Sequence, residues 1–301
     1  MYGIITYLRN KLFDCGIIEQ KSHSVKVISV GNIRVGGTGK TPFVEYLIKA
    51  LSPYFNLAIL SRGYGRKTKG FIHLQPHHSA SEVGDEPLLI FKRNPNTLVA
   101  VCEERNKGVE NILKISPKTN LIILDDAYQH RYINRDINIL LTEYNRPFFK
   151  DRVIPYGRLR EYRKGYKRAS YIVVTKCPPL NEKQKQDFVL KLKPLPHQKI
   201  FFSNIVYKLP YHIKNKEKQI NLSDYKVLLL TGIANNQHII EYLNSITQVV
   251  DTITFSDHHN FTEKDKIQIK NRYNKFSESN TILLTTEKDA MRLQDFETDI
   301  Y

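Results

Sequence analysis

Val27-Ile28-Ser29-Val30-Gly31-Asn32-Ile33-Arg34-Val35-Gly36-Gly37-Thr38-Gly39-Lys40-Thr41 runs from β-branched residues into a glycine-rich turn, and Phe43, Val44, Leu47, Ile48 and Leu51 follow at helical spacing. That order predicts a strand, a loop and a helix. The glycines let backbone N–H groups turn toward an anion, and the helix N-terminus adds its dipole. Lys40 brings a positive charge and Thr41 a hydroxyl for Mg²⁺. The spacing G-x-x-x-x-G-K-[ST] asks for glycine at position 34, where Arg34 stands, so the pattern is met only in its last six residues, Gly36–Thr41. The strand before and the amphipathic helix after make a chance match the weaker reading, and Pro42 suits a first helical turn. The stretch reads as a nucleoside triphosphate site.

Working outward, 301 residues suffice for two domains with cores of their own, and 41% hydrophobic with 25% charged residues is the composition of a folded soluble protein. Cys15, Cys102 and Cys177 form no C-x-x-C and no metal spacing, which suits thiols of a reducing compartment. A formal charge of +16 predicts attraction to something anionic: nucleic acid, a membrane surface or a phosphorylated substrate. No apolar run is long enough to span a bilayer. The first residues lack a basic n-region and a small-residue cleavage site, so no leader is expected.

Met1, Ile4, Ile5, Leu8, Leu12 and Cys15 recur at helical spacing. Such a stripe faces either the protein core or a bilayer surface, and spacing alone does not choose. Further on, Leu57–Ser61, Thr97–Cys102, Leu121–Leu124, Ile137–Thr142 and Tyr171–Thr175 are short and nearly continuously apolar, as buried parallel strands are. With helices between them they predict an α/β fold, P-loop NTPase-like, with a mostly parallel sheet flanked by helices and ligands at the strand C-terminal ends. The expected organisation is an N-terminal amphipathic helix over 1–24, a P-loop domain over 25–207, a lysine-rich linker over 208–224 and a smaller α/β domain over 225–301.

Asp125 and Asp126 end an apolar strand, where a P-loop enzyme holds Mg²⁺. Gly84-Asp85-Glu86-Pro87 precedes a helical stretch and reads equally as a site or as a helix start capped by Asp85. Ser61-Arg62-Gly63-Tyr64-Gly65-Arg66-Lys67 follows a strand, and its bases suit an anionic substrate. Between Arg146 and Arg168 basic residues interleave with Phe148, Phe149, Tyr156, Tyr162 and Tyr166, a mixture fit for single-stranded nucleic acid or for lipid head groups. Asp257-His258-His259 ends a second-domain strand without a zinc signature.

Together these stretches resemble the tetraacyldisaccharide 4′-kinases, or lipid A 4′-kinases. The matching blocks are Ser29–Asn32 through Gly39–Pro42, Leu60–Arg66, Gly84–Pro87, Asp125–Arg131, Pro155–Glu161, Asp257–His259 and Thr286–Asp289, in the family's order. The resemblance implies transfer of the γ-phosphate of ATP to the 4′-hydroxyl of a tetraacyldisaccharide 1-phosphate, giving lipid IVA in lipopolysaccharide assembly. It implies ATP and Mg²⁺ as cofactors and a peripheral enzyme on the cytoplasmic face of the bacterial inner membrane. No nucleic acid and no obligate protein partner are expected. It shifts the first helix toward membrane contact.

By the same resemblance the nucleotide is held along Arg34, Val35, Gly36, Gly37, Thr38, Gly39, Lys40 and Thr41, with Gln129 and Glu161. The metal falls to Thr41, Asp125 and Asp126. Asp85 becomes the catalytic aspartate with His258 as its partner, Lys40 and Arg160 join them, and Arg62, Tyr64, Arg66 and Glu86 are left for the acceptor. Family chains usually continue past Thr286–Asp289 into a short closing segment, where this sequence stops at Tyr301. Two rival classes share less: partitioning ATPases carry a lysine where Val35 stands, and a basic nucleic-acid-binding ATPase would account for the charge alone. A guanine-specific site is weaker still, because Thr175-Lys176-Cys177-Pro178 lacks the aspartate of N-K-x-D.

Overall fold

Side chains alternate across a strand, and that alternation sorts the first sheet's core. In the computed structural model, β1 (Lys26–Gly31), β2 (Leu57–Ser61) and β5 (Leu121–Asp125) send Ile28, Val30, Ile59 and Ile123 to one face. There they meet Val44 and Ile48 of α2 (Lys40–Leu51) and Leu88 and Ile90 of α4 (Asp85–Arg93). Val27, Ala58, Leu60, Ile122 and Leu124 point the other way, onto Val109 and Ile112 of α5 (Arg105–Ile115). Both faces are covered, which is why these strands read as unbroken apolar runs. The structure describes residues 2–233, 236–256, 259–276, 280–293, 296 and 298–301.

The chain forms two compact units, Met1–Ile205 and Val206–Tyr301. The first adds α1 (Tyr2–Asp14), β3 (Ile72–His73), α3 (Ala80–Val83), β4 (Leu98–Val101), β6 (Ile137–Glu143), β7 (Tyr171–Thr175), α6 (Glu182–Leu192) and β8 (Lys199–Phe202). Its eight strands lie in the order β3-β4-β2-β5-β1-β6-β7-β8, parallel throughout except that β3 runs against β4. The glycine loop therefore leaves the middle of the sheet. The ends of β2, β5, β6 and β7 open on the same edge, where an open parallel sheet places its ligands.

Gly31 closes β1 against the backbone of residues 127–128. A Cβ there would lie 2.8 Å from both Cβ and N of Tyr128. Gly31→Ala is therefore expected to destabilise the unit by about 1–3 kcal/mol, read as a lowered Tm in a thermal melt; an unchanged Tm would show that the strand end yields freely.

α1 does not pack through its apolar stripe. Gly3, Thr6 and Phe13 face inward, whereas Ile4, Ile5, Leu8 and Leu12 are 59%, 60%, 56% and 38% exposed. Asn10 donates to Glu161 Oε2 at 3.0 Å and Arg9 to the carbonyl of Gln129 at 3.2 Å, so polar groups seat the helix. The core alternative for the stripe gives way to an outward apolar face.

The second unit holds β9 (Tyr211–His212), β10 (Asn215–Gln219), β11 (Lys226–Thr231), α7 (Gln237–Asn244), β12 (Val249–Thr254), α8 (Glu263–Asn274), β13 (Thr281–Thr285) and α9 (Glu287–Ala290). Its parallel sheet runs β12-β11-β13, with Leu228, Leu230 and Leu283 on one face and Val227, Leu229, Ile282 and Leu284 on the other. The segment 208–224, expected as a linker, carries the antiparallel β9–β10 pair and ends in a turn whose Leu222 is buried in this core. Its lysines read as linker because β10 is exposed along its whole length.

Candidate active site

The glycine loop bends where only glycine bends easily: Gly36 and Gly39 have φ of +118° and +80°. Gly39 precedes the first residue of α2, so Lys40 and Thr41 stand in its first turn beside the positive end of the helix dipole. Asn32 holds the turn from inside, donating to Thr38 Oγ1 at 2.6 Å. Gln129, expected as a nucleotide ligand, donates to the carbonyl of Asn32 at 2.7 Å and to Glu161 at 3.0 Å, a scaffolding role.

At the end of β5 the two carboxyls diverge. Asp126 lies 3.7 Å from Lys40 Nζ and accepts from Arg160 Nη1 at 3.0 and 3.1 Å. Burial pushes its carboxyl up, but Lys40 and Arg160 together outweigh burial and leave it below the ordinary range. Asp125 is fully buried; burial first, then Glu86 and Asp126, push it up to about 7 against the pull of Lys40 and Ser61. Ser61 donates to its Oδ2 at 3.2 Å, while Oδ1 has no hydrogen-bond partner among the described residues.

A buried carboxylate oxygen without a donor, crowded by two further carboxylates, fits a divalent cation. Asp125, Asp126 and the Thr41 hydroxyl are the residues that would hold Mg²⁺. Among the described residues no three His, Cys, Asp or Glu side chains converge as a closed cage; Mg²⁺ needs only one or two carboxylates when water and phosphate complete its shell.

Asp85 opens α4, is 6% exposed, and accepts from the N–H of Glu86 at 3.0 Å. Gly84 fixes this approach. A Cβ there would sit 3.1 Å from the carbonyl oxygen of Tyr64, so the helix start abuts the loop after β2. Arg62 and Tyr64 are exposed on that loop, as acceptor contacts need to be.

Arg66 departs from that expectation. Its guanidinium is buried and donates at 2.6 Å both to Glu103 and to the carbonyl of Gly70, so it shapes the loop. Glu161 is 1% exposed and receives Arg168, Gln129 and Asn10, so its carboxylate is held by protein donors beside Arg160. His258 lies outside the described residues; the adjacent His259 stacks on Phe255 with centroids 4.5 Å apart and pairs with Asp265 at 3.0 Å. The sequence reading missed Glu143 and Asp151, which take the Arg34 guanidinium at 3.5 and 2.7 Å. Glu143 closes β6 as Asp125 closes β5, and that carboxylate at a strand end was the signal available.

A glycine loop between a buried central strand and a helix, with two carboxyls at the neighbouring strand end, defines a P-loop phosphotransferase. The family model described as tetraacyldisaccharide-1-P 4′-kinase matches residues 1–300. The chain belongs to this family. It is 44% identical to the tetraacyldisaccharide 4′-kinase of Bacteroides fragilis, over 97% of this chain and 80% of that one. It is 42% identical to that of Flavobacterium psychrophilum, over 98% and 85%. Among solved structures it is similar to LpxK from Aquifex aeolicus in complex with ATP, with a TM-score of 0.74 and 31% identity over 99% of this chain and 89% of that one.

Proposed function

We propose that the protein transfers the γ-phosphoryl group of ATP to the 4′-hydroxyl of a tetraacyldisaccharide 1-phosphate, working at a lipid surface. The observation that carries this reading is the convergence of Lys40 and Arg160 on Asp126 beside an Asp125 oxygen that has no hydrogen-bond partner among the described residues. In the transfer the 4′-oxygen forms a bond to the γ-phosphorus, the bond from that phosphorus to the bridging oxygen of ADP breaks, and the hydroxyl proton passes to the Asp85 carboxylate. The transition state is loose, so positioning and charge matter more than base strength. Lys40 and Arg160 stabilise negative charge on the transferred group, and Mg²⁺, when bound, neutralises phosphate oxygens. His258 is carried in this proposal on the resemblance alone. Incubation with labelled ATP and a tetraacyldisaccharide 1-phosphate in mixed micelles tests it: label in the lipid supports the reading, and label found only in inorganic phosphate sinks it.

The membrane part rests on α1. No helix among the described residues is long and apolar enough to cross a membrane. The outward stripe Ile4, Ile5, Leu8 and Leu12 suits a helix lying in the interface. Beside it Tyr7 meets Tyr162 edge-on at 5.9 Å, in a loop that also carries Arg152, Arg158, Arg163 and Tyr156, the last 85% exposed. Bases near an anionic leaflet contribute about 1 kcal/mol each. Replacing Ile4, Ile5 and Leu8 together by serine is expected to weaken binding to anionic vesicles at least about tenfold, since each apolar side chain gives up a burial of roughly 1.5–3 kcal/mol. The Tm should hardly move, because exposed substitutions change stability little. Undiminished co-sedimentation of a folded triple variant would remove α1 from the membrane face.

A further inference from the structure

The phosphate loop must keep its shape although its first glycine position is Arg34, and three of the residues that hold it, Glu143, Thr175 and Lys176, lie outside the stretches that carry the family resemblance. A trans peptide places its C=O and N–H on opposite sides, so fixing a carbonyl fixes where the next N–H points. Two successive loop carbonyls are fixed toward the end of β7. Thr175 Oγ1 donates to the carbonyl of Thr38 at 2.9 Å, and Lys176 Nζ donates to that of Gly37 at 2.5 Å. The first tie turns the N–H of Gly39 away from β7. The second fixes the peptide of Thr38, whose N–H closes a tight turn on Gly36 O at 3.0 Å.

Lys176 adopts the left-handed backbone conformation, φ +54°, that delivers this reach and that a side-chain-bearing residue seldom adopts. Its Nζ also meets Glu143 Oε1 at 2.5 Å, while Glu143 Oε2 lies 3.5 Å from Arg34 Nη1. Glu143 thus links Arg34, at the start of the loop, through Lys176 to Gly37. The side chains of Glu143, Lys176 and Arg34 are 6%, 11% and 11% exposed, so Glu143 and Lys176 neutralise one another while Arg34 is shared between Glu143 and Asp151.

We propose that Glu143 and Lys176 are positioning residues for the nucleotide's phosphates, clamping the loop from the ends of β6 and β7 so that its backbone keeps the turn that the Thr38 N–H closes on Gly36. The proposal rests on the nucleotide-site reading above. Its probe is inorganic tripolyphosphate, which has no base or ribose and reports on the cradle alone. By calorimetry, Lys176→Met and Glu143→Gln are each expected to weaken tripolyphosphate binding about tenfold, the effect of a lost charged hydrogen bond, and to raise KM for ATP similarly with KM for the lipid acceptor unmoved. Lys176→Arg should restore most of the affinity, and the double variant should bind no worse than Lys176→Met. Undiminished tripolyphosphate affinity in folded Glu143→Gln overturns the clamp, and that variant, which preserves shape, decides the matter even if Lys176→Met does not fold. A wild-type protein that binds no tripolyphosphate would overturn the nucleotide-site reading itself.

Discussion

Lys40→Ala is expected to lower the rate of phosphoryl transfer at least a hundredfold while leaving the circular dichroism spectrum intact. Lys40 sits in the first turn of α2 with only 10% of its side chain exposed, and its nearest carboxylate is 3.7 Å away, a loose pairing. Asp126 keeps Arg160 at 3.0 Å when the lysine is gone, so the fold loses little. The reaction loses much more. A preorganised donor aimed at charge that develops in the transition state is worth about 10²–10³ in rate in a water-poor site, and Lys40 is the cation that the loop itself provides. Lys40→Arg keeps the charge but not the point geometry, and should fall between the two. Initial rates with micellar acceptor, at saturating ATP, measure the effect; Lys40→Ala activity within tenfold of the parent would mean that the γ-phosphate lies elsewhere.

How much of this was legible in the sequence depended on whether a feature is local. β7 was read to the residue and β5 to within one, because a strand buried on both faces writes itself as a continuous apolar run. The acids at the end of β5 and the lysine of the loop followed from spacing along the chain. Partner choice was not legible. Nothing near Arg66 or Glu161 in sequence announces that their charges face Glu103 and Arg168, because those pairings are set by how loops cross at the sheet edge. The stripe of α1 was visible but its direction was not: the opposite side seats the helix through the close approach of Gly3 to Val153, the Asn10 bond to Glu161 and the Phe13 ring against Tyr132. Arg34 breaks the glycine spacing of the loop, and the carboxylates that hold it, Glu143 and Asp151, come from distant parts of the chain.

Asp125→Asn is expected to abolish transfer and, at the same time, to raise the Tm of the nucleotide-free protein. The carboxyl is held at about 7, above the ordinary 3.8, first by burial and then by Glu86 and Asp126. A carboxyl raised on folding stays protonated in the folded chain while the unfolded chain releases its proton. Its contribution to stability is therefore full below the unfolded value and is lost as pH rises through the folded one. Above pH 7 the folded protein carries a buried charge whose Oδ1 has no hydrogen-bond partner among the described residues. An amide of the same shape removes that charge, so the variant should melt a few degrees higher at pH 8, with a flatter dependence between pH 4 and 7. The same substitution takes away the oxygen best placed for Mg²⁺, so the upward shift that Mg²⁺ and ATP give the parent's Tm should shrink sharply, because ligand stabilisation scales with affinity. Stability gained together with activity lost is the signature of a strained functional carboxylate. Melts at pH 5 and 8, with and without Mg²⁺ and ATP, separate the two effects. A variant that melts lower than the parent at pH 8 without ligands would show that the Asp125 carboxylate is satisfied in the fold, and its assignment to the metal would lose its physical basis.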